Sequence, residues 1–442
     1  MPTERQFSTK TKLERIAWLS SRGKTKKFEC LMHHINVESL TECFVEMDGK
    51  KATGSDRVTK EIYGESLTKN LENLMDRMKR MTYRPGPVRE VLIPKDDKPG
   101  TFRPLGIGNF EDKLVQKMTS RILESIYEPT FLNCSYGFRP GRGYHDAIRD
   151  LQSHIFKQPV TTVIDIDLAN FFGTIQREVV DSLLRERIQD IRFLRYIQRL
   201  FKAGILSDGE LRTSDEGVPQ GSPASPIIAN IVAHYVIDEW FEATVKAHCL
   251  GKVALFRYCD DMVICCQFES DAIRVNKALG LRLEKYGLRL NAEKTKLVPF
   301  SKAQAIEKKQ GSFDFLGFTF YLGKSRNGRF RLPKLKSCRK RIRSKLKRVT
   351  EWMRVMRSKA RLPVLWKDFI AKIQGHIAYY AVSFNLEWVS KFVEQAVRIV
   401  FKWLNRRGGK RKLTWEKFLK FVAANPLPAI RIYHPLFSTQ SK

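Results

Sequence analysis

An α+β fold is predicted by three observations in this 442-residue chain. Tyr258-Cys259-Asp260-Asp261 lies between the apolar runs Val253 to Phe256 and Met262 to Cys266, the pattern of a β-hairpin with two carboxylates at its tip. About ninety residues upstream, Val160 to Ile164 is a β-rich run leading into Asp165-Ile166-Asp167, a second acidic strand end. Beyond Pro333 the period changes: Leu335, Ile342, Leu346, Val349, Met353 and Met356 recur at helical spacing among Arg and Lys, which predicts one long amphipathic helix.

The remaining elements follow in chain order. Residues 1 to about 85 mix short helical patterns with a turn at Asp48-Gly49, and 86 to about 160 alternate Pro/Gly turns with apolar runs. Gly217 to Pro226 is a Gly/Pro loop opening the apolar run Ile227 to Val236, read as a helix. Trp366 to Ala381 and Leu386 to Leu404 predict two further helices, and Arg406 to Lys412 a hinge into a small basic C-terminal module.

Net charge is +33, and +23 of it falls from Arg331 onward. A region so unbalanced repels itself unless a polyanion neutralises it, so nucleic acid is the expected partner. No uninterrupted apolar stretch approaches the roughly 20 residues that span a bilayer, and Met1 to Arg5 begins no signal peptide. A cytoplasmic protein without a membrane partner is expected. The eight cysteines form no C-x-x-C pair and are read as reduced thiols, mostly core fillers.

Two adjacent carboxylates repel one another, and a turn tolerates them where water or a cation neutralises the charge. A solvated turn is the plain reading of Asp260-Asp261; the neighbouring motifs favour another. Carboxylate strand, Pro219-Gln220-Gly221 loop and Asp-Asp hairpin, in that order, resemble the palm of a reverse transcriptase. The chain is similar to group II intron-encoded reverse transcriptases, the maturases, over nearly its whole length. Lys51 to Asp56 and Tyr83 to Val88 resemble that family's N-terminal extension, Ile93-Pro94-Lys95 through Phe102 to Ile107 and Ser135 to Arg142 its fingers motifs, Gly287 to Lys296 and Phe313 to Phe318 the motifs after the hairpin, and Gly375 to Tyr380 its thumb. Asn109-Phe110-Glu111 departs from the family, which tends to carry Pro-Thr and an apolar residue there, and Cys259 replaces the more usual Ala.

The resemblance implies a right-hand polymerase: N-terminal extension 1–85, fingers 86–160, palm with antiparallel sheet 161–330, helical maturase-type thumb 331–405 and basic module 406–442. With no Cys after Cys338 to pair on a zinc, the endonuclease-lacking type is expected. The implied activity is RNA-directed DNA polymerisation with two Mg²⁺, Mn²⁺ being a substitute, held by Asp167, Leu168, Asp260 and Asp261. Asp165 rivals Asp167 from the same strand face, but Asp167 alone has the family's spacing to two aromatics. Phe172 corresponds to the ring that excludes a ribose 2′-hydroxyl, with Phe171 pointing the other way along an extended segment. Lys95 and Arg103, flanking a turn, are phosphate contacts; Gln220 faces nucleotide or template; Lys294 is a candidate acid for pyrophosphate, or else part of an exposed helix start. Expected partners are an RNA template, group II intron RNA among the candidates, a DNA or RNA primer, dNTPs and a DNA target. Two alternatives stay open: a host-adopted reverse transcriptase in repair or antiviral defence, and an RNA-binding splicing factor.

Overall fold

The computed structural model describes residues 8–23, 25–94, 100–207, 210–212, 221–305, 307, 310–406 and 413–436. Its strands are β1 (Val88–Pro94), β2 (Phe102–Ile107), β3 (Thr162–Ile166), β4 (Ile205–Ser207), β5 (Glu210–Arg212), β6 (Val253–Tyr258), β7 (Asp261–Cys266), β8 (Lys296–Pro299), β9 (Ser312–Phe315), β10 (Phe318–Lys324) and β11 (Arg331–Ser337). They form three sheets, ordered β2-β1-β4-β5, β6-β7-β3-β8 and β11-β10-β9. With helices packed around them, this is a mixed α/β fold.

The sheet β6-β7-β3-β8 separates two apolar cores because its strands are apolar on both faces. Ile164, Ile166, Leu255, Met262 and Ile264 enter one core, together with the N-terminal helices and the helix Phe110–Tyr127. Val163, Phe256, Val263, Cys265 and Val298 enter the other, with the helix Tyr144–Lys157, the third sheet and the C-terminal helices. Alternation along each strand therefore fixes its register: slipping by one residue would exchange the contents of the cores.

The N-terminal segment is tied down by polar contacts as well. Asp190 accepts from the backbone N–H groups of Leu31 (2.7 Å) and Met32 (3.1 Å), and buried Arg187 donates to Ser20 Oγ at 2.8 Å. Asn109-Phe110-Glu111, unexplained by resemblance, has a structural role here. Asn109 Oδ1 accepts from Ser55 Oγ at 3.0 Å, Phe110 packs on Phe44 and Tyr63, and Glu111 receives Arg77 at 2.7 Å. A Cβ on Gly54 or Gly86 would lie 2.3 Å from the Asn109 side chain, so the Gly of each flanking motif is there for close approach.

Several predicted elements need correction. Leu335 belongs to strand β11, and the basic helix begins at Arg339 and runs to Lys359. Pro333, which has no N–H for a ladder, is accommodated because β11 is an edge strand. The apolar run after the Pro-Gln-Gly loop is an α-helix over Ser225–Ala233 that widens into π-helical turns at His234–Asp238 and Phe241–Val245. The helix Leu386–Leu404 falls where predicted, and the one before it starts earlier, at Leu362. Of the expected hinge, residues 407–412 lie outside the described residues. Past it, Phe418 is fully buried against Trp366 and Phe401, and His434 bridges Val382, which seats this segment on the second core. All eight cysteines are free thiols, five of them buried. No helix among the described residues is long and apolar enough to cross a membrane.

His376, within the thumb-like motif, is buried between the rings of Phe392 (3.6 Å) and Tyr380 (4.7 Å), and neither ring nitrogen has a hydrogen-bond partner. Burial, assisted by Lys345, lowers its pKa to about 3; burial likewise lowers His34 to about 4. A folded-state pKa below the unfolded value means that the unfolded chain takes up a proton first as pH falls below about 6.5. Stability is therefore fully present above that pH and is lost toward about pH 3. His376 alone should cost about 2 kcal/mol between pH 6.5 and 5, and His376→Phe should flatten that part of the urea-unfolding profile. A variant with the parent's acid slope would contradict this assignment.

Candidate active site

Strand pairing brings the acidic residues together. The antiparallel ladder of β3 and β7 sets Asp165 opposite Val263 and Ile166 opposite Met262, so one further step sets Asp167 opposite Asp261. On the other side of β3, Asp165 pairs with Lys296, and two steps further Asp167 meets Lys294. The Asp167 backbone is clamped there: its carbonyl accepts from Asn291 N–H at 2.8 Å, and its N–H donates to Thr295 Oγ1 at 3.4 Å. The side chain of Leu168 is buried in the core, so only its backbone faces the site's chemistry.

Tyr258 and Asp261 close the β6-β7 hairpin, leaving Cys259-Asp260 as a two-residue loop. Cys259 sits at φ +59°, the left-handed region that a residue with a Cβ adopts only at a cost. Two contacts hold it. A Cβ on Gly137 would lie 2.4 Å from Cys259 Sγ, so that glycine lets the Ser135 to Arg142 segment press against the turn. From beneath, the Arg257 guanidinium donates to the Cys259 carbonyl at 3.2 Å.

Arg257 is the functional residue that sequence reasoning missed. Fully buried, it makes a two-armed ion pair with equally buried Asp238 (2.7 and 2.5 Å) and donates to Asn230 Oδ1 (3.1 Å) and Ser135 Oγ (2.7 Å). Part of the signal was available: an arginine at the end of an apolar strand requires a partner, whereas Asp238 closes an apolar helical run but stands beside Glu239. The arginines of the Ser135 to Arg142 motif are structural too. Arg139 pairs with Glu128 and the Ser135 carbonyl, and Arg142 with Asn133 and the same carbonyl.

Electrostatics mark the cluster. Asp260 and Asp261 touch solvent at the turn, yet enough protein crowds them that desolvation dominates their titration. Burial and then Asp260 push Asp261 up to about 6, with Arg341 from the first turn of the basic helix opposing and Asp167 adding to the rise. Burial, then Asp167, raises Asp260. Asp165 is pushed to about 7 by burial, Asp314 and Asp261. It shares the face of Asp167 but sits further back on the strand.

The other candidates divide. Lys294 Nζ lies 3.2 Å from Asp167 in a half-exposed pair, on a turn rather than a helix start, and such pairs contribute at most about 1 kcal/mol. Arg103 is exposed on β2, opposite Ile93. Lys95 and Gln220 lie outside the described residues. Gly221, at φ +110°, approaches β2 so closely that a Cβ would stand 2.4 Å from the Gly106 carbonyl. Phe172 is half-buried and meets the core ring of Phe171 edge-on at 5.7 Å. Their segment is a helical turn, Phe171–Thr174, not an extended one, because Asn170 turns the chain at φ +48°. Adjacent side chains then diverge by about 100° rather than 180°.

Among the described residues no three acidic, His or Cys side chains close around a metal by themselves. Oxygen-only carboxylates on an open turn nevertheless suit a hard divalent cation, whose remaining positions substrate phosphates and water fill.

A family model described as reverse transcriptase (RNA-dependent DNA polymerase) matches residues 93–320, which include both acidic strand ends and the loop between them. The chain belongs to the reverse transcriptase family and is an RNA-directed DNA polymerase. It is 32% identical over 315 residues to Protein YkfC of Escherichia coli strain K12, covering 64% of this chain and 80% of that protein. Against group II intron-encoded protein LtrA of Lactococcus lactis subsp. cremoris the identity is 35% over 164 residues, 37% of this chain and 27% of LtrA. An uncharacterized 91 kDa protein in the cob intron of Schizosaccharomyces pombe is 37% identical over 172 residues, 39% of this chain and 21% of that protein. The chain thus spans most of one relative and about a quarter of the two intron proteins. Enzymes of the family use divalent metal ions and act on RNA templates.

Proposed function

We propose that the chain is laid out as a right-handed polymerase that extends a DNA or RNA primer with dNTPs on an RNA template, and that it assists splicing and mobility of an intron RNA. Fingers would span 86–160, palm 161–330, thumb 331–405, with extensions at 1–85 and 406–442. The last boundary but one falls inside the β10-β11 hairpin, so palm and thumb would share a sheet. The observation that carries the reading is the β3-β7 ladder, whose last pair, Ile166 and Met262, adjoins Asp167 on one strand and Asp261, next to Asp260, on the other. Similarity to LtrA supports the intron role, and retention of all three aspartates disfavours a splicing factor without polymerase activity.

Asp167, Asp260 and Asp261, with the Leu168 backbone, would hold the divalent cations, Mg²⁺ or Mn²⁺. Bound there, two cations supply Lewis-acid stabilisation of the attacking primer 3′-oxygen and of the leaving pyrophosphate. Arg103 and Lys95 neutralise the triphosphate. Gln220, with an amide that both donates and accepts, reads nucleotide or template. Lys294, loosely held by Asp167, is free to turn toward the pyrophosphate and give up a proton as the P–O bond breaks. Phe172 fills the volume that a ribose 2′-hydroxyl would occupy.

Primer extension on a primed RNA, with dNTPs and Mg²⁺, tests the reading: elongation that chelation abolishes is expected, and chelator-resistant elongation would contradict it. Phe172→Ala should raise ribonucleotide over deoxynucleotide incorporation by one to two orders of magnitude, about the 1–3 kcal/mol that a pocket discriminates on size. An unchanged ratio assigns Phe172 to the core.

A further inference from the structure

The chain carries thirteen Lys and Arg and no acidic residue between Phe315 and Thr350. Part of this charge lies at the tip of the β10-β11 hairpin. The tip of the β10-β11 hairpin is an ordered turn: Ser325 N–H donates to the Phe330 carbonyl at 2.8 Å, Phe330 N–H donates to Ser325 Oγ at 3.1 Å, and Asn327 Oδ1 accepts from Arg329 N–H at 3.3 Å. This turn holds Phe330 outward, 64% exposed, with Lys324, Arg326 and Arg329 exposed around it. Phe330 and Arg331 line a surface cavity of about 470 Å³ together with Phe156, itself 44% exposed, and Lys302. Lys302 Nζ lies 6.0 Å from the Phe156 ring centre and donates to the Phe156 carbonyl.

Two rings presented to solvent on one cavity, rimmed by cations, match the chemistry of unpaired nucleic acid, whose bases stack on aromatic faces while basic side chains follow the backbone. A duplex hides its base faces and would leave both rings in water. The cavity also has a defined relation to the catalytic turn. The helix Tyr144–Lys157 starts at Tyr144, close enough to Tyr258 to perturb its hydroxyl, and ends beside Phe156, about 18 Å along the axis.

We propose that Phe156 and Phe330, with Lys302, Arg329 and Arg331, form a stacking subsite for the single-stranded part of the polymerase's own nucleic-acid substrate, outside the catalytic cleft. The proposal rests on the polymerase reading for its substrate, and its test separates the two. Fluorescent primer–templates are compared, one with a short single-stranded tail and one with a tail of about twenty uridines. The longer tail should tighten binding by the parent. Phe156→Ala/Phe330→Ala should weaken binding to the long-tailed substrate about tenfold or more while leaving the short-tailed one unchanged, since each stacked base contributes on that scale. The first-nucleotide addition rate at saturation should stay at the parent's value, which also reports that the variant is folded. In the unmodified protein, a photoreactive 5-iodouridine tail should crosslink to Phe330 or Phe156. Equal weakening on both substrates, no weakening, or crosslinks confined to other residues would overturn the proposal. Failure of the parent to add any nucleotide would instead sink the polymerase reading, and tail binding would still be readable.

Discussion

Asp260→Ala is expected to abolish primer extension on RNA, at least about a thousandfold, while template–primer affinity stays within a few-fold of the parent. The carboxylate lies on a two-residue loop whose geometry is held by Gly137 and Arg257, so its removal deletes a charged group without loosening the hairpin. A thousandfold corresponds to about 4 kcal/mol of transition-state stabilisation, which is what loss of one carboxylate from a divalent-cation site should cost. Single-turnover addition of one dNTP separates this from product release. A rate within tenfold of the parent would remove Asp260 from the chemistry.

The second large effect is expected beneath the turn. Asp238→Ala leaves Arg257 buried with no counter-charge, and breaking such a pair costs about 3–5 kcal/mol. That is a large part of the 5–15 kcal/mol typical of a folded domain. Urea unfolding should show a midpoint far below the parent's, with activity falling because the Arg257 bond to the Cys259 carbonyl slackens. Arg257→Met together with Asp238→Leu removes both charges and should recover much of the stability but not the activity. A single Asp238→Ala variant within about 1 kcal/mol of the parent would mean that water reaches the pair.

The contrast between these two sites shows what the sequence makes legible. Asp260-Asp261 could be placed at a hairpin tip because local alternation specifies a hairpin, and Val160 to Ile164 could be read as a strand for the same reason. Register then follows, since both faces are buried and a slip is costly. Arg257 and Asp238 could be flagged only as charges needing partners; which partner each takes depends on how a π-widened helix crosses the sheet. Asn109 is a similar case, its contacts lying more than fifty residues away in Ser55 and Asp56. Leu335 was misread because its spacing to Ile342 fits a heptad as well as chance does, and the edge strand that claims it tolerates the proline that otherwise argues against a strand. The segment carrying Phe171 and Phe172 is a helical turn where an extended one is expected, because a left-handed Asn170 starts that turn soon after the strand.

Asp165 and Asp167 share one strand face, and we propose that only the second belongs to the reacting centre. Primer extension by Asp167→Ala and Asp165→Ala, measured side by side on the same primed RNA at matched template–primer occupancy, tests it most directly. Because Asp167 and Asp261 directly follow and precede the last ladder pair, Ile166 and Met262, while Asp165 lies opposite Val263, Asp167→Ala should lose at least about a thousandfold and Asp165→Ala less than about tenfold. Loss of activity in Asp165→Ala with activity retained in Asp167→Ala would put Asp165, not Asp167, at the reacting centre.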